Sequence, residues 1–398
     1  MAEAAVLLLR PRDGVIDPAE VGVEGYFSAA QVERAEDFRS GQLALFGLRV
    51  AIELGVLVLL VRRPPRWLLE ARRPVLMGAA AGAALSVVTS AAVLPVGAVM
   101  RQRAIDVGLV TQSWSGWAGD IALSWSIAAL IAGAGGAVAV VLLRRRAWWL
   151  PAAAVVVAFA AGMTYLSPVV LDPLFNRFEP VPEGRLRSDV VDLARRAGVD
   201  VGEVYVMDAS RRTTAANAYV AGLGQTKRVV LFDTLVERLP RSEGGAGSRD
   251  EDAFTREEVN LVVAHELAHV HYDDVPHGLL FLALVAPVGM FAVSRLAAAW
   301  APRDASPAAA IPALALALAI VVPLVTSVSN QLSRRVEARA DSYALELTGA
   351  ADAFIAFERR IALRNVSDPD PPTWRTWLLA THPPTIERIG IGEAYRRR

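Results

Sequence analysis

The chain holds five histidines in 398 residues, and two of them stand four apart in His265-Glu266-Leu267-Ala268-His269. On a helix of 3.6 residues per turn, such a pair projects about 40° apart, from one face. That spacing suits two imidazole ligands on one Zn²⁺ ion. Glu266 lies one step round the helix, where a carboxylate can take a proton from a metal-activated water. Coincidence is the bland alternative, and the flanking sequence weighs against it. Thr255-Arg256-Glu257-Glu258 has the form of a capping box, and an apolar run from Val259 to Ala264 follows, so the spacing predicts a helix here.

A catalytic zinc takes three protein ligands and one water, so one ligand is missing from this motif. The longer motif with a third histidine is absent, because Tyr272 takes its glycine position and Val275 its last histidine. The chain has no cysteine, which excludes thiolate ligation, thiol catalysis and disulfides. Glu337, in Ser333-Arg334-Arg335-Val336-Glu337-Ala338-Arg339-Ala340-Asp341, is the best donor. Asp341 lies one turn further on the same face and could accept the N–H of a ligand histidine. By itself this segment would pass for a solvated helix with Glu/Arg pairs. His382, in Thr381-His382-Pro383-Pro384, could donate to the oxyanion of a tetrahedral intermediate, although a loop histidine is more often plain surface. Asn217-Ala218-Tyr219 could form an edge strand that pairs with an extended substrate backbone. His271 and His277 flank the motif without a specific role.

These residues must be positioned by a chain that is 54% hydrophobic, with mean hydropathy +0.36, which points to a membrane protein. Net charge is zero, so no electrostatic argument for a nucleic-acid partner exists. The apolar start is too short for a cleaved signal peptide, and the Arg-rich end carries no lipidation box. Residues 1–42 read as a polar juxtamembrane segment, with a charged helix starting near Glu33. A four-span membrane domain follows over 43–166, with spans at 43–61, 75–100, 121–143 and 148–166. Glu53 lies inside the first span and is a functional candidate by its position alone. Residues 101–120, with Trp114 and Trp117, read as an interfacial connector. Residues 167–277 read as soluble, with a helix over 189–198, strands at 203–207, 217–220 and 228–232, a turn at Gly222 to Gly224, a helix over 233–239 and a mobile acidic loop at 241–252. A two-span hairpin over 278–329 then returns the chain to the side it left. Residues 330–398 therefore share that side with the histidine helix, and Glu337 can reach it.

Taken together, these stretches resemble the type I CAAX prenyl endopeptidases, integral-membrane gluzincin metalloproteases, and more distantly the HtpX-type membrane proteases. The similarity also runs through Thr111 to Trp117, Pro173 to Pro180, Ser210 to Tyr219 and Arg228 to Leu235, and covers roughly residues 20–398. The resemblance implies a polytopic α-helical membrane protein of about six spans, carrying an α+β zincin-type metalloprotease domain split by a membrane hairpin. It implies His265, His269 and Glu337 as ligands of one Zn²⁺ per chain, Glu266 as general base and Asp341 in support. It also implies His382 with Arg388 at the oxyanion, and a ring of spans around a hydrated chamber. The implied partners are a peptide or protein substrate, prenylated or membrane-associated, and the lipid bilayer. The implied location is the plasma membrane, with the catalytic domain facing the cytosol.

This chain departs from the family at three points. The family has seven spans, and the one missing here is the first. Val270-His271 replaces an aromatic position after the motif, and the 241–252 loop is unusually acidic. Arginine counts on the two sides of the membrane nearly balance, and taken alone the clusters at 62–73 and 144–146 would put the catalytic side outside. Two rival readings remain open at this point. One is a protease for membrane-protein quality control. The other is a transporter or receptor that binds metal without hydrolysis, for which a non-ligating Glu266 has no use.

Overall fold

The computed structural model describes residues 2–222, 227–236 and 253–398. The acidic loop at 241–252, residues 237–239 of the expected helix and part of the turn at Gly222 to Gly224 lie outside the described residues.

The chain opens with a short helix, α1 (Ala2–Leu9). An extended segment then leads to α2 (Ala29–Arg62), whose start carries a capping box between Ser28 and Gln31. The charged stretch from Glu33 is therefore the first turns of one long helix that runs on into the membrane. After the single turn α3 (Arg66–Leu69) come α4 (Pro74–Asp106), α5 (Trp114–Leu142) and α6 (Trp149–Leu166). Ser113 caps α5 by accepting from the Gly116 N–H at 3.1 Å, so that helix starts earlier than expected and the connector shrinks to a few residues. A π-turn and the single turn α7 (Asp172–Phe175) lead into β1 (Phe178–Pro180). Then follow α8 (Arg185–Arg196), β2 (Glu203–Met207), β3 (Ala218–Ala221), β4 (Arg228–Phe232) and the turn α9 (Asp233–Val236). The histidine helix is α10 (Arg256–His271), followed by α11 (Asp274–Trp300), α12 (Ile311–Thr348), α13 (Ala351–Arg364), α14 (Thr373–Leu379) and α15 (Thr385–Arg396).

Among the described residues, six helices are long and apolar enough to cross a bilayer. Their small residues decide how closely they meet. A Cβ on Gly82 would overlap the Ala132 carbonyl, and one on Gly136 the Gly78 carbonyl, so α4 and α5 touch backbone to backbone. Among the described residues, the short helix α1 precedes α2 and sets Ala5 and Val6 against Phe281, Val285 and Leu332 on α11 and α12.

The boundary expected at residue 330 falls inside one continuous helix. At 1.5 Å per residue the 38 residues of α12 extend about 57 Å, against about 30 Å of hydrocarbon, so its second half stands clear of the membrane. That half carries Glu337.

The sheet has the order β1-β2-β4-β3, with only the central β2–β4 pair parallel, and β3 lies at one edge. Helix α10 is buried on two faces. Val259, Val262, Val263 and Leu267 pack on the sheet and α8, while Leu261 and Ala264 pack on α12, α13, α15 and Ile16 of the N-terminal segment. Burial all round explains why this helix lacks an amphipathic pattern. The α4–α5 connector docks on the loop before β3. Arg212 pairs with Asp120 at 2.8 and 3.1 Å, and Thr213 and Thr214 donate to the carbonyls of Leu109 and Gly108.

Candidate metal centre

The capping box of α10 is made in both directions. Thr255 Oγ1 accepts from the Glu258 N–H at 3.2 Å, and Glu258 Oε2 accepts from the Thr255 N–H at 2.6 Å. About three to four turns on, His265 and His269 project side by side with ring centroids 5.0 Å apart. Their Nε2 atoms lie 3.3 Å apart. Glu337 reaches over from α12, with Oε2 3.2 Å from His265 Nε2 and Oε1 3.8 Å from His269 Nε2. One donor atom from each of the three falls within 4.8 Å of the others.

This donor set fits a tetrahedral divalent ion. Bonds of about 2.0–2.1 Å place tetrahedral donors about 3.3 Å apart, close to the spacings found. Both Nδ1 atoms face carboxylates, so the neutral tautomers turn both Nε2 lone pairs inward, beside a carboxylate. A cation relieves that repulsion.

A second layer holds the rings. His265 Nδ1 lies 2.9 Å from Asp341 Oδ1, and His269 Nδ1 lies 2.9 Å from Asp274 Oδ2. Each aspartate is backed by an arginine. Arg388 donates to Asp341 through Nε at 2.8 Å and Nη2 at 2.5 Å. Arg339 donates to Asp274 at 2.5 Å, and its guanidinium lies 3.9 Å from the centre of the Tyr272 ring. Asp274 and Arg339 escaped the sequence reading. A signal was available in the acid five residues after His269, but only the fold shows which way it turns. Asp273 adopts φ 53°, in the left-handed region that Asp tolerates, and reverses the chain between α10 and α11 so that Asp274 returns to His269.

The other expected residues lie close by. Burial raises the pKa of Glu266, while the neighbouring His265 and His269 draw it back. A backbone hydrogen bond from Val220, on edge strand β3, also reaches its carboxylate. The free sheet edge and the acid thus adjoin. Burial works to raise the Glu337 pKa too, but the hydrogen bond with His265 and the surrounding histidine charges hold it at about 2. His382 Nε2 lies 3.2 Å from Glu337 Oε2, and its side chain is 57% exposed, so it stands at the open side of the cluster.

Arg388, which the resemblance implied at the oxyanion, faces carboxylates. Two of its nitrogens face Asp341 and the third faces Glu358, behind His265, so its charge is spent on buried carboxylates. Asn217 and Tyr219 flank the buried Ala218. The Asn217 side chain accepts from the Ala218 N–H, and the Tyr219 hydroxyl donates to Asp172 at 3.2 Å. His271 and His277 lie apart from the metal cluster. His271 donates to the Ala197 carbonyl and stacks on Tyr343, and His277 donates to the Tyr272 carbonyl. Glu53 lines a cavity of about 380 Å³ within the spans, with Arg49, Thr89 and Trp125.

Comparison with known proteins agrees with this geometry. The profile of peptidase family M48 matches residues 180–391, just over half of the chain. The uncharacterized metalloprotease YhfN of Bacillus subtilis is 29% identical over 319 residues, which cover 78% of this chain and 71% of the relative. The CAAX prenyl protease 1 homologue of Homo sapiens is 28% identical over 257 residues, 54% of this chain and about half (52%) of the relative's length. The crystal structure of S. mikatae Ste24p shares the fold at a TM-score of 0.72, over 98% of this chain and 96% of that one, at 18% identity. With a part-buried two-histidine, one-glutamate cluster set against six apolar helices, the chain belongs to peptidase family M48, as an integral multi-pass membrane metalloprotease.

Proposed function

We propose that this protein is a zinc-dependent endopeptidase that cleaves membrane-associated polypeptides, with prenylated C-terminal peptides as the substrate class. The single observation that carries this reading is the convergence of His265, His269 and Glu337 from two helices beside the non-ligating Glu266. The names of the CAAX prenyl protease 1 relatives support the choice of substrate class.

His265, His269 and Glu337 would hold the ion, which when bound supplies a Lewis acid and an acidified water. Glu266 takes the proton of the attacking water and later passes it to the leaving amine. Its burial favours this, because a raised pKa makes the carboxylate a better base. His382, at the open side of the cluster, donates to the oxyanion as it develops. The substrate backbone lies extended along Asn217, Ala218 and Tyr219 at the free edge of β3, held by main-chain hydrogen bonds. Asp341 and Asp274 keep the two imidazoles in the tautomer that turns Nε2 inward.

Glu266→Gln separates this reading from a non-hydrolytic metal protein. The variant keeps one metal per chain and loses about 10²- to 10⁴-fold in peptide cleavage. Cleavage at the wild-type rate would refute the mechanism. The same assay on prenylated and unprenylated versions of one peptide tests the substrate class, and equal kcat/KM on both favours the quality-control reading.

We also place the protein in the plasma membrane with its catalytic domain on the cytosolic side, in line with the type I CAAX group. The absence of cysteine makes the orientation easy to test. A single cysteine at Arg145 should react with an impermeant maleimide from outside intact cells, and protection there reverses the assignment.

A further inference from the structure

Helix α13 buries a glutamate in apolar surroundings. Glu358 is 1% exposed, with the buried side chains of Phe354, Ile355, Phe357 and Ala362 on the same helix. A carboxylate there costs several kcal/mol of desolvation that a leucine of similar size would not. Among the described residues, its one polar partner is Arg388, whose Nη1 lies 3.0 Å from Glu358 Oε2, and Oε1 has no hydrogen-bond partner.

The geometry of Arg388 explains the choice. Its Nε and Nη2 grip both oxygens of Asp341 side-on, which fixes one edge of a planar guanidinium. Nη1 then points away from Asp341 into the interior and needs an acceptor of its own. Glu358 supplies it. With both edges held, the guanidinium plane is fixed, and so is the plane of the Asp341 carboxylate. Asp341 Oδ1 is the atom that meets His265 Nδ1 at 2.9 Å. Four side chains from α13, α15, α12 and α10 thus form one buried relay that ends at a histidine facing the metal site.

We infer that Glu358 is a positioning residue for His265, acting through Arg388 and Asp341. The inference rests on the reading of His265 as a metal ligand. Nothing in the primary structure marks Glu358, because it sits 89 to 93 positions from the histidine motif on a helix whose other buried residues are apolar.

The test compares Glu358→Leu, which removes the acceptor, with Glu358→Gln, which keeps an oxygen for Nη1 without the charge. Phe357→Leu, a core trimming on the same helix, serves as the control for lost stability. Zinc affinity is read by chelator competition on the full-length protein in detergent, and kcat and KM at saturating zinc. Glu358→Leu should weaken zinc about 3- to 10-fold and lower kcat by a similar factor with KM unchanged, below the roughly 10- to 100-fold of a direct partner of a ligand histidine because Glu358 acts through two further side chains. Glu358→Gln should stay within about twofold of wild type, and Phe357→Leu should lose thermal stability without loosening zinc. The inference is overturned if Glu358→Leu binds zinc like Phe357→Leu, or if Glu358→Gln behaves like Glu358→Leu. Where Glu358→Leu does not fold, Glu358→Asp replaces it, since its shorter side chain falls short of Nη1. A wild-type protein that binds no zinc would instead bring down the underlying ligand assignment.

Discussion

Asp274→Asn tests the half of the site that the sequence did not disclose. Asp274 Oδ2 accepts from His269 Nδ1 at 2.9 Å, and Oδ1 accepts from Arg339 at 2.5 Å, with side chains 10% and 15% exposed. An asparagine keeps the shape and one acceptor but removes the charge. A hydrogen bond to a charged group contributes about 1.5–3 kcal/mol, against about 0.5–1.5 for a neutral one. The His269 contact should therefore weaken by about 1–1.5 kcal/mol, which is about tenfold in metal affinity, the lower end of what partners of ligand histidines give. Arg339 loses its counter-charge as well. Breaking a buried pair costs about 3–5 kcal/mol, but here the Tyr272 ring at 3.9 Å still faces the guanidinium, and a desolvated cation–π contact offsets up to about 2 kcal/mol of it. The metal-free protein should thus be destabilised by about 1–3 kcal/mol. Adding Arg339→Met removes the stranded charge, and should restore the metal-free Tm while metal affinity stays low. Chelator competition and thermal unfolding with and without metal read both quantities. A folded Asp274→Asn protein that bound zinc as tightly as wild type would show that Asp274 does not orient His269.

Further outcomes follow from the same geometry. Gly136→Val puts a branched side chain where a Cβ already overlaps the Gly78 carbonyl, so α4 and α5 must separate, at a cost of about 1–3 kcal/mol read as a lower Tm in detergent. Thr255→Ala removes the α10 cap and should cost about 1 kcal/mol of stability, with zinc affinity unchanged because the cap lies at the far end of the helix from His265. Chelation should abolish cleavage and lower Tm, and zinc at about 100 times its dissociation constant should restore about 2.7 kcal/mol of stability. Activity that survived full metal removal would contradict the metalloprotease assignment.

Much of this could be read before folding was considered. A helix with two histidines four apart, a capping box and an apolar run is a local statement, and local rules decide it. The spans are equally legible, because a bilayer demands about 20 apolar residues in a row and turns hydropathy into topology. Glu337 and Asp341 were reachable because a membrane hairpin has to return the chain to the side it left. The partners of the second layer were not. Asp274 owes its place to one left-handed residue between two helices, and Arg339 and Glu358 look in sequence like ordinary charged positions on helices. Arg388 was marked by the resemblance alone, and only packing shows the two acids, Asp341 and Glu358, that its guanidinium faces. The chain by itself determined which residues can do the chemistry and which segments cross the membrane, since both depend on spacing along a helix. The tertiary structure alone decided which buried charges face one another, because desolvated groups select their partners by proximity in space, and no periodicity along the backbone records that.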